Sequence, residues 1–565
     1  MTTSQNETVL RSLSALRLSR RRLVGGVAAS AAASLTGVDR TSAAVRSLRS
    51  QVDPATLVVL DDLPAQNWLY YDAAKFYEID PAAGFQVTYE CLYHIPDGYK
   101  IGEIEPLLAE EMPSVSDDGL TAMIKIRSGV KFHNTGNEMT ADDWVWSWNR
   151  LRYVQSNPSF LFTDFLESVT AVDPNTLEIK LLAPNAALAA ILTSLPFSVN
   201  DSKAAQENGG VAEEGADQSD KLTDWLNKGN SLGTGPYRLA QWDPANEIIL
   251  EKFADYWGDA AAFDRIIFRN VADSSTRLQL LETGEADVAF TVDPDQIQQV
   301  LDNPGLQLVE GPSLAYEYLA LNLREEVGGP LAKKEARQAI AHAIDYSGII
   351  DGLLSGRAKR PATVVPLGLL GTEEVQSKAY QTDVARANEL WAASGAGPAE
   401  LSLTYGAGQA APGGLDREVL AAKLQQDIQG IDGVTLKLTP MDSNQRLQDY
   451  REGKLQFTMS DWSPDYADVH TYADPFGRTG GAAAKRVNYS NPEVDKLLDE
   501  GIAEQDEAAR AEDYIKLQEI VLDDSAFIVE FQPNYVVPAS AAVQNVAPHG
   551  VYIIQLRYAS KESPA

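Results

Sequence analysis

The segment from Asp461 to Gly477, DWSPDYADVHTYADPFG, crowds Asp461, Asp465, Asp468 and Asp474 among Trp462, Tyr466, Tyr472 and Phe476. Carboxylates beside aromatic rings in a proline-broken segment suit a catalytic acid pair, a cation site or a clamp on a charged ligand. Gly229-Asn230-Ser231-Leu232-Gly233 spells the G-x-S-x-G pattern of a nucleophilic serine. That chemistry needs a strand before the serine and a helix after it, so that Oγ is presented on a strained turn. Here two more turn formers, Gly235 and Pro236, lead into a strand-like run, and the pattern is expected to be structural. His94, His133, His342, His470 and His549 are scattered, with none at the i, i+4 spacing of a helical zinc site. No glycine-rich phosphate loop ending in Lys-Ser or Lys-Thr joins a strand to a helix. The single cysteine, Cys91, leaves neither an internal disulfide nor a thiolate cluster. No cofactor and no metal are expected.

Bulk composition narrows the partners. At 565 residues the chain can bury more than one core. Its formal charge of −33 lacks the Lys and Arg excess that phosphate neutralisation requires, which argues against nucleic acid as a partner.

Residues 1–45 differ from the rest. A basic start, RLSRRR, precedes an apolar, Ala-rich run from Leu23 to Leu35, and small residues follow at Thr41-Ser42-Ala43. The run is shorter than the ~20 residues that span a bilayer, so it reads as an export signal. Ser19-Arg20-Arg21 with Leu23 resembles the twin-arginine motif, which implies the twin-arginine machinery as an export partner. No cysteine follows the run, so no lipoprotein-type anchor is expected, and the mature chain is expected in the periplasm or another extracytoplasmic space.

The elements that must position the candidate groups alternate between strand and helix. TAMIKIRSGVKF, 121–132, alternates and breaks at Ser128-Gly129, which predicts a hairpin. Thr140 followed by Asp142 and Asp143 predicts a helix N-terminus, and the Trp144, Trp146 and Trp148 rings fan round that helix rather than lining one face. VDPNTLEIKLL predicts a turn and a strand through Leu177, Ile179 and Leu181. The stripe Ala336, Ile340, Ala343, Ile344 and Leu354 predicts one amphipathic helix, carrying His342 as a packed or solvated side chain. Residues 203–220 and 404–415 are Gly-rich and are expected to be surface loops.

Several segments occur in a fixed order: YECLYHIPDG (89–98), 107–151, GTGPYRLAQWDPANEIILEKFADYWG (233–258), 321–354 and DWSPDYADVHTYADPF (461–476). Together they resemble the bacterial extracellular solute-binding proteins of family 5, which serve peptide, nickel and opine ABC importers, and the likeness covers nearly the whole mature chain. The resemblance implies an α/β chain with the two-lobed periplasmic-binding-protein fold, of the large type II subclass with an extra subdomain in the first lobe. The implied limits are 46–312 for the first lobe, about 105–205 for the extra subdomain and 313–534 for the second lobe, with 535–565 returning to the first lobe. Such a chain is expected to be a monomer that captures a short peptide and docks on membrane permease subunits, without enzymatic turnover.

By the same resemblance, Asp465 in Trp462-Ser463-Pro464-Asp465-Tyr466 inherits the carboxylate that holds the ligand's α-ammonium group, with Trp462 and Tyr466 as wall and cation–π partners. Longer-peptide binders carry an arginine shortly before that Trp, whereas this chain has Phe457-Thr458-Met459-Ser460. Arg451 and Arg417 are the candidates left for the ligand carboxylate. Phe162 aligns with a cleft-facing aromatic of the extra subdomain. Asp461, Asp468 and Asp474 are expected to cap turns. Two alternatives stay open here: a sugar, opine or metal-chelate binder on the same fold, and a secreted hydrolase using paired carboxylates.

Overall fold

The computed structural model describes residues 53–64, 68–79, 81–96 and 102–562. The export segment expected over 1–45 lies outside the described residues.

Among them, twelve strands join in one mixed sheet. Thr56–Asp61 lies parallel to Arg265–Asn270 on one side and to Val288–Ala289 on the other. Its sequence, TLVVLD, is apolar at successive positions, and Leu57, Val58, Val59 and Leu60 are all buried, as a strand covered on both faces requires. Ala399–Gly406 runs parallel to Val434–Met441 and Phe457–Trp462, and the latter pairs antiparallel with Tyr316–Leu321.

Phe527–Ser540 joins the two groups of strands. Its first half pairs with Tyr316–Leu321, and its second half pairs with Leu306–Pro312 and Val288–Ala289. One core gathers Ile340, Leu403, Leu424, Phe457 and Phe531, and another gathers Leu57, Phe85, Tyr237, Phe268, Val537 and Ala539. Side chains of this one strand therefore enter both cores, and the chain is an α/β protein with two halves flanking a shared strand.

A separate four-stranded sheet, ordered Ser114–Val115, Thr121–Lys125, Thr176–Leu181, Leu166–Asp173, packs on the helix Ala141–Val154. The helix starts as its sequence predicts, with the Asp143 carboxylate accepting from the Thr140 N–H at 2.8 Å. Trp144 and Trp148 are fully buried at 5.8 Å edge to face, while Trp146 lies in a neighbouring small cluster.

Four local expectations change. Residues 121–132 hold one strand rather than a hairpin: Thr121–Lys125 pairs with Thr176–Leu181, and Lys131 instead bridges Glu138. The amphipathic stripe after Lys333 is split, because Ile344 turns to extended backbone after Lys334–Ala343 and the Asp345 carboxylate starts a new turn by accepting from the Gly348 N–H at 2.9 Å. Residues 203–220 fold into short helices whose Ala204, Ala205 and Ala216 are buried. In 404–415, Thr404 to Gly406 belong to a strand and Ala410 bridges Asp416.

Candidate functional site

Phe457–Trp462 delivers the acidic segment to the junction between the halves, and each aspartate there has a distinct partner. Asp461 accepts from Arg417 Nη2 at 2.5 Å. Asp468 accepts from the His470 N–H at 2.8 Å and pairs with both terminal nitrogens of Arg510, at 2.7 and 2.9 Å, which fixes the loop from beneath. Asp474 pairs with Arg478 one helical turn on. Asp461 and Asp468 thus anchor the segment more firmly than a simple turn cap would.

Asp465 differs. Its carboxylate faces a small cavity of about 30 Å³ and shares it with Phe76, Tyr77, Leu161, Ser194 and Tyr552, side chains from remote parts of the chain. Tyr77 Oη donates to Asp465 Oδ1 at 2.9 Å, and Ser194 Oγ donates to the Asp465 carbonyl at 2.9 Å. Burial pushes the Asp465 carboxyl up to about 6, against hydrogen bonds from Tyr77 and Thr471 that pull the other way. No cation pairs with it among the described salt bridges, so its charge is answered only by neutral donors. Such a group gains from an arriving ammonium.

The residues grouped with Asp465 in the sequence divide around it. Tyr466 is buried, packed edge to face on Phe165 at 6.1 Å within the four-stranded subdomain's core. Phe162 has no exposed surface in the same core and lies under the Arg152 guanidinium at 5.5 Å. Both rings pack in that core with little or no exposed surface. Trp462 is half-buried against Phe476 and Arg486, and its indole N–H is buried with no partner among the described residues. It is the last residue of its strand and its ring meets Phe476 of the following helix, His470–Gly477.

Arg417 is also spoken for. Its Nε and Nη2 meet the two oxygens of fully buried Glu317 at 2.9 and 2.8 Å, while Nη2 also meets Asp461. Burial works against the Arg417 charge, but Glu317 and Asp461 outweigh it and hold its pKa up. The guanidinium is the hub of a buried ion network, so a ligand carboxylate would have to displace Glu317 or Asp461. Arg451 is exposed at a helix end. Burial and then Asp465 raise the pKa of the Tyr77 hydroxyl, while Arg451 works in the opposite direction, so its charge is felt at the same corner.

Ser231 does meet a histidine. His133 Nδ1 and Ser231 Oγ are 2.8 Å apart, and His133 Nε2 lies 2.8 Å from the Gly235 carbonyl. Both side chains are completely buried, and burial pushes His133 down to about 4. This pair ties the loop before Tyr237–Asp243 to the subdomain and has no access for a substrate. Gly233 and Gly235 serve the same packing, since a Cβ at either would run into the Thr88 or Val87 carbonyl.

Tyr77, Ser194, Glu317 and buried Glu530 escaped the sequence reading. Glu530 is the extra residue of a bulge opposite Glu317 and Tyr318, and neither of its oxygens has a partner among the described residues. An isolated acid in an apolar strand, VEF, was the available signal for it.

A model of the bacterial extracellular solute-binding proteins, family 5, middle region, matches residues 103–484. The probable D,D-dipeptide-binding periplasmic protein DdpA of Escherichia coli K12 is 28% identical over 422 residues, covering 74% of this chain and 78% of that protein. The dipeptide-binding protein DppE of Bacillus subtilis is 26% identical over 515 residues, covering 85% and 89%. Among solved structures, the periplasmic binding protein DppA of Helicobacter pylori, in complex with the peptide STSA, superposes with a TM-score of 0.73 at 23% identity, covering 90% of this chain and 98% of that one. No helix among the described residues is long and apolar enough to cross a membrane. With a family model matched across most of its length and a periplasmic-binding-protein fold, the chain belongs to the bacterial extracellular solute-binding proteins of family 5.

Proposed function

We propose that this protein captures short peptides with a free amino terminus between its two lobes and presents them to the permease of an ABC importer, without chemical turnover. The observation that carries the reading is Asp465: a carboxylate raised by burial, facing a cavity shared with residues from other parts of the chain, and lacking a cation of its own. A ligand ammonium supplies that cation through charge-assisted hydrogen bonds. The dipeptide names carried by DdpA and DppE agree with it.

The lobes are taken as 46–312 and 313–534, with 535–565 returning to the first and the subdomain at about 105–205. The chain leaves one core for the other between Pro312 and Tyr316 and again along Phe527–Ser540, which supports those limits. Delivery by the twin-arginine route, a monomeric state and a location outside the cytoplasm complete the reading. The ligand carboxylate is assigned to Arg451, since Arg417 is engaged.

Calorimetry with Ala-Ala and Ala-Ala-Ala against their N-acetylated forms tests the ammonium anchor. Free peptides should bind and acetylated ones should not. Equal affinity for both forms removes Asp465 from the role, and hydrolysis of a bound peptide on long incubation removes the non-enzymatic reading.

A further inference from the structure

Beside the Asp465 cavity lies a second one of about 40 Å³, and Tyr552 lines both. The segment Thr193 to Leu195 also borders both, with Thr193 and Leu195 on the second cavity and Ser194 on the first. Tyr552 is held as a partition: its hydroxyl accepts from the Leu195 N–H at 3.3 Å, and its ring stacks on His549 at 5.2 Å.

The second cavity is lined by residues whose polar groups have no partner among the described residues. Gln86 is 7% exposed, and both atoms of its carboxamide are buried with no partner among the described residues, as is His94 Nδ1. Leaving a buried amide unpaired is costly, so a cavity that keeps one is built for a polar occupant. The occupant is also neutral by the cavity's charge balance. Arg557 lines the cavity, but its Nη1 is answered by Glu90 at 2.5 Å and its Nη2 by the Gln86 carbonyl at 2.9 Å. Burial pushes His94 down to about 4 and His549 to about 3, so both rings are uncharged at neutral pH. A water needs roughly 10–15 Å³ of such a cavity, so the space suits a group of two to four heavy atoms and is too small for a ring.

We propose that this cavity is the specificity pocket for the side chain next to the ligand's ammonium group, and that Gln86 and His94 select a short, uncharged, hydrogen-bonding side chain such as a hydroxymethyl or a carboxamide. The proposal rests on Asp465 holding the ammonium. Tyr552 borders both the cavity that Asp465 faces and the one that Gln86 lines, so the side chain next to an ammonium held by Asp465 has the second cavity adjacent to it. A hydroxyl or carboxamide entering there pairs with both the donor and the acceptor of the Gln86 amide, whereas an apolar group of equal size leaves them stranded.

The test is isothermal calorimetry with two peptide series, X-Ala and X-Ala-Ala, where X is Ser, Ala, Asn, Leu, Phe or Lys. Ser should bind at least about tenfold tighter than Ala, and Asn at least about tenfold tighter than Leu, the range expected when a site made for a polar group meets one lacking it. In Gln86→Leu, and in Gln86→Met as a second near-isosteric replacement, both ratios should fall to within about threefold of one. Replacing an unpaired amide by an apolar group of similar shape leaves folding intact, which a thermal melt verifies. Ratios near one in the unaltered protein, or a preference that survives both replacements, overturn the pocket while leaving the peptide reading standing. If no peptide of either series binds, the peptide reading itself fails and the pocket falls with it.

Discussion

Tyr77 Oη donates to Asp465 Oδ1 at 2.9 Å, although 388 positions separate the two residues in the chain. The tyrosine follows a short turn, Ala73–Lys75, and the aspartate follows a strand of the other half, so this bond spans the junction at which a ligand would be enclosed. A neutral donor stabilises the carboxylate less than a cation does. Burial therefore prevails over that bond, and the carboxyl is pushed up to about 6.

Affinity for free-amine peptides should fall in acid. In the free protein the Asp465 carboxyl is raised to about 6, and an ammonium ligand needs the ionised form. Binding must then release a proton, and one pH unit below that value costs about tenfold in affinity. Calorimetry at pH 6 in buffers of different ionisation enthalpy should register the released proton. Affinity that stays flat from pH 7.5 to 5 contradicts the assignment.

Asp465→Asn should abolish peptide binding yet raise the melting temperature of the ligand-free protein at pH 7.5. A folded-state pKa above the unfolded one contributes stability below about pH 4, lost as pH rises through about 6, so ionised Asp465 is a cost at neutral pH. The amide removes that cost. A lower melting temperature in this variant would mean that Asp465 holds the junction together rather than waiting for a ligand.

Arg417→Ala should destabilise the protein by about 3–5 kcal/mol, because it strands buried Glu317 without a counter-charge. Urea melts measure the loss, and the double variant Arg417→Met with Glu317→Leu should recover much of it. If instead stability is kept and peptide binding disappears, Arg417 is a ligand residue after all.

Arg451→Ala should lower affinity for peptides with a free carboxylate about two- to fivefold, with no change in melting temperature, as suits an exposed charge. Amidated peptides should not notice the substitution. Equal loss for both peptide forms would show that Arg451 acts on the general field and not on the carboxylate.

Glu530→Gln should be tolerated, and the advantage of the variant should grow with alkalinity. Burial, then the neighbouring Glu317, push the Glu530 carboxyl well up, with Arg417 opposing. Its contribution to stability is present below the unfolded carboxylate pKa and lost as pH rises through the raised folded value. Urea midpoints of the two proteins from pH 6 to 9 should diverge, and parallel curves would show that Glu530 has found a partner.

Much of the scaffold was legible because its signals are local. The Thr140–Asp143 cap, the strand through Leu177 and Ile179 and the structural nature of the Ser231 pattern each depend on neighbours within a few residues. Pairing is not local: Thr121–Lys125 pairs with Thr176–Leu181 across some fifty intervening positions, and the nearby Ser128-Gly129 turn signal pointed elsewhere. The site divided along the same line. Trp462, Tyr466 and Phe162 have the composition of a ligand wall, but an aromatic ring that packs a core looks identical in sequence to one that faces a cleft. Arg417 looked available because its partner Glu317 lies 100 positions away. Tyr77 was missed for the same reason, since nothing near it in the chain announces Asp465.

Phe527–Ser540 is the pairing partner of strands from both groups. Neither group can be completed before that strand has been synthesised, because both pair with it. Leu306–Pro312 in particular waits for it along its whole length. A product cut short before Phe527 would therefore carry two unfinished sheet edges and mark itself for degradation.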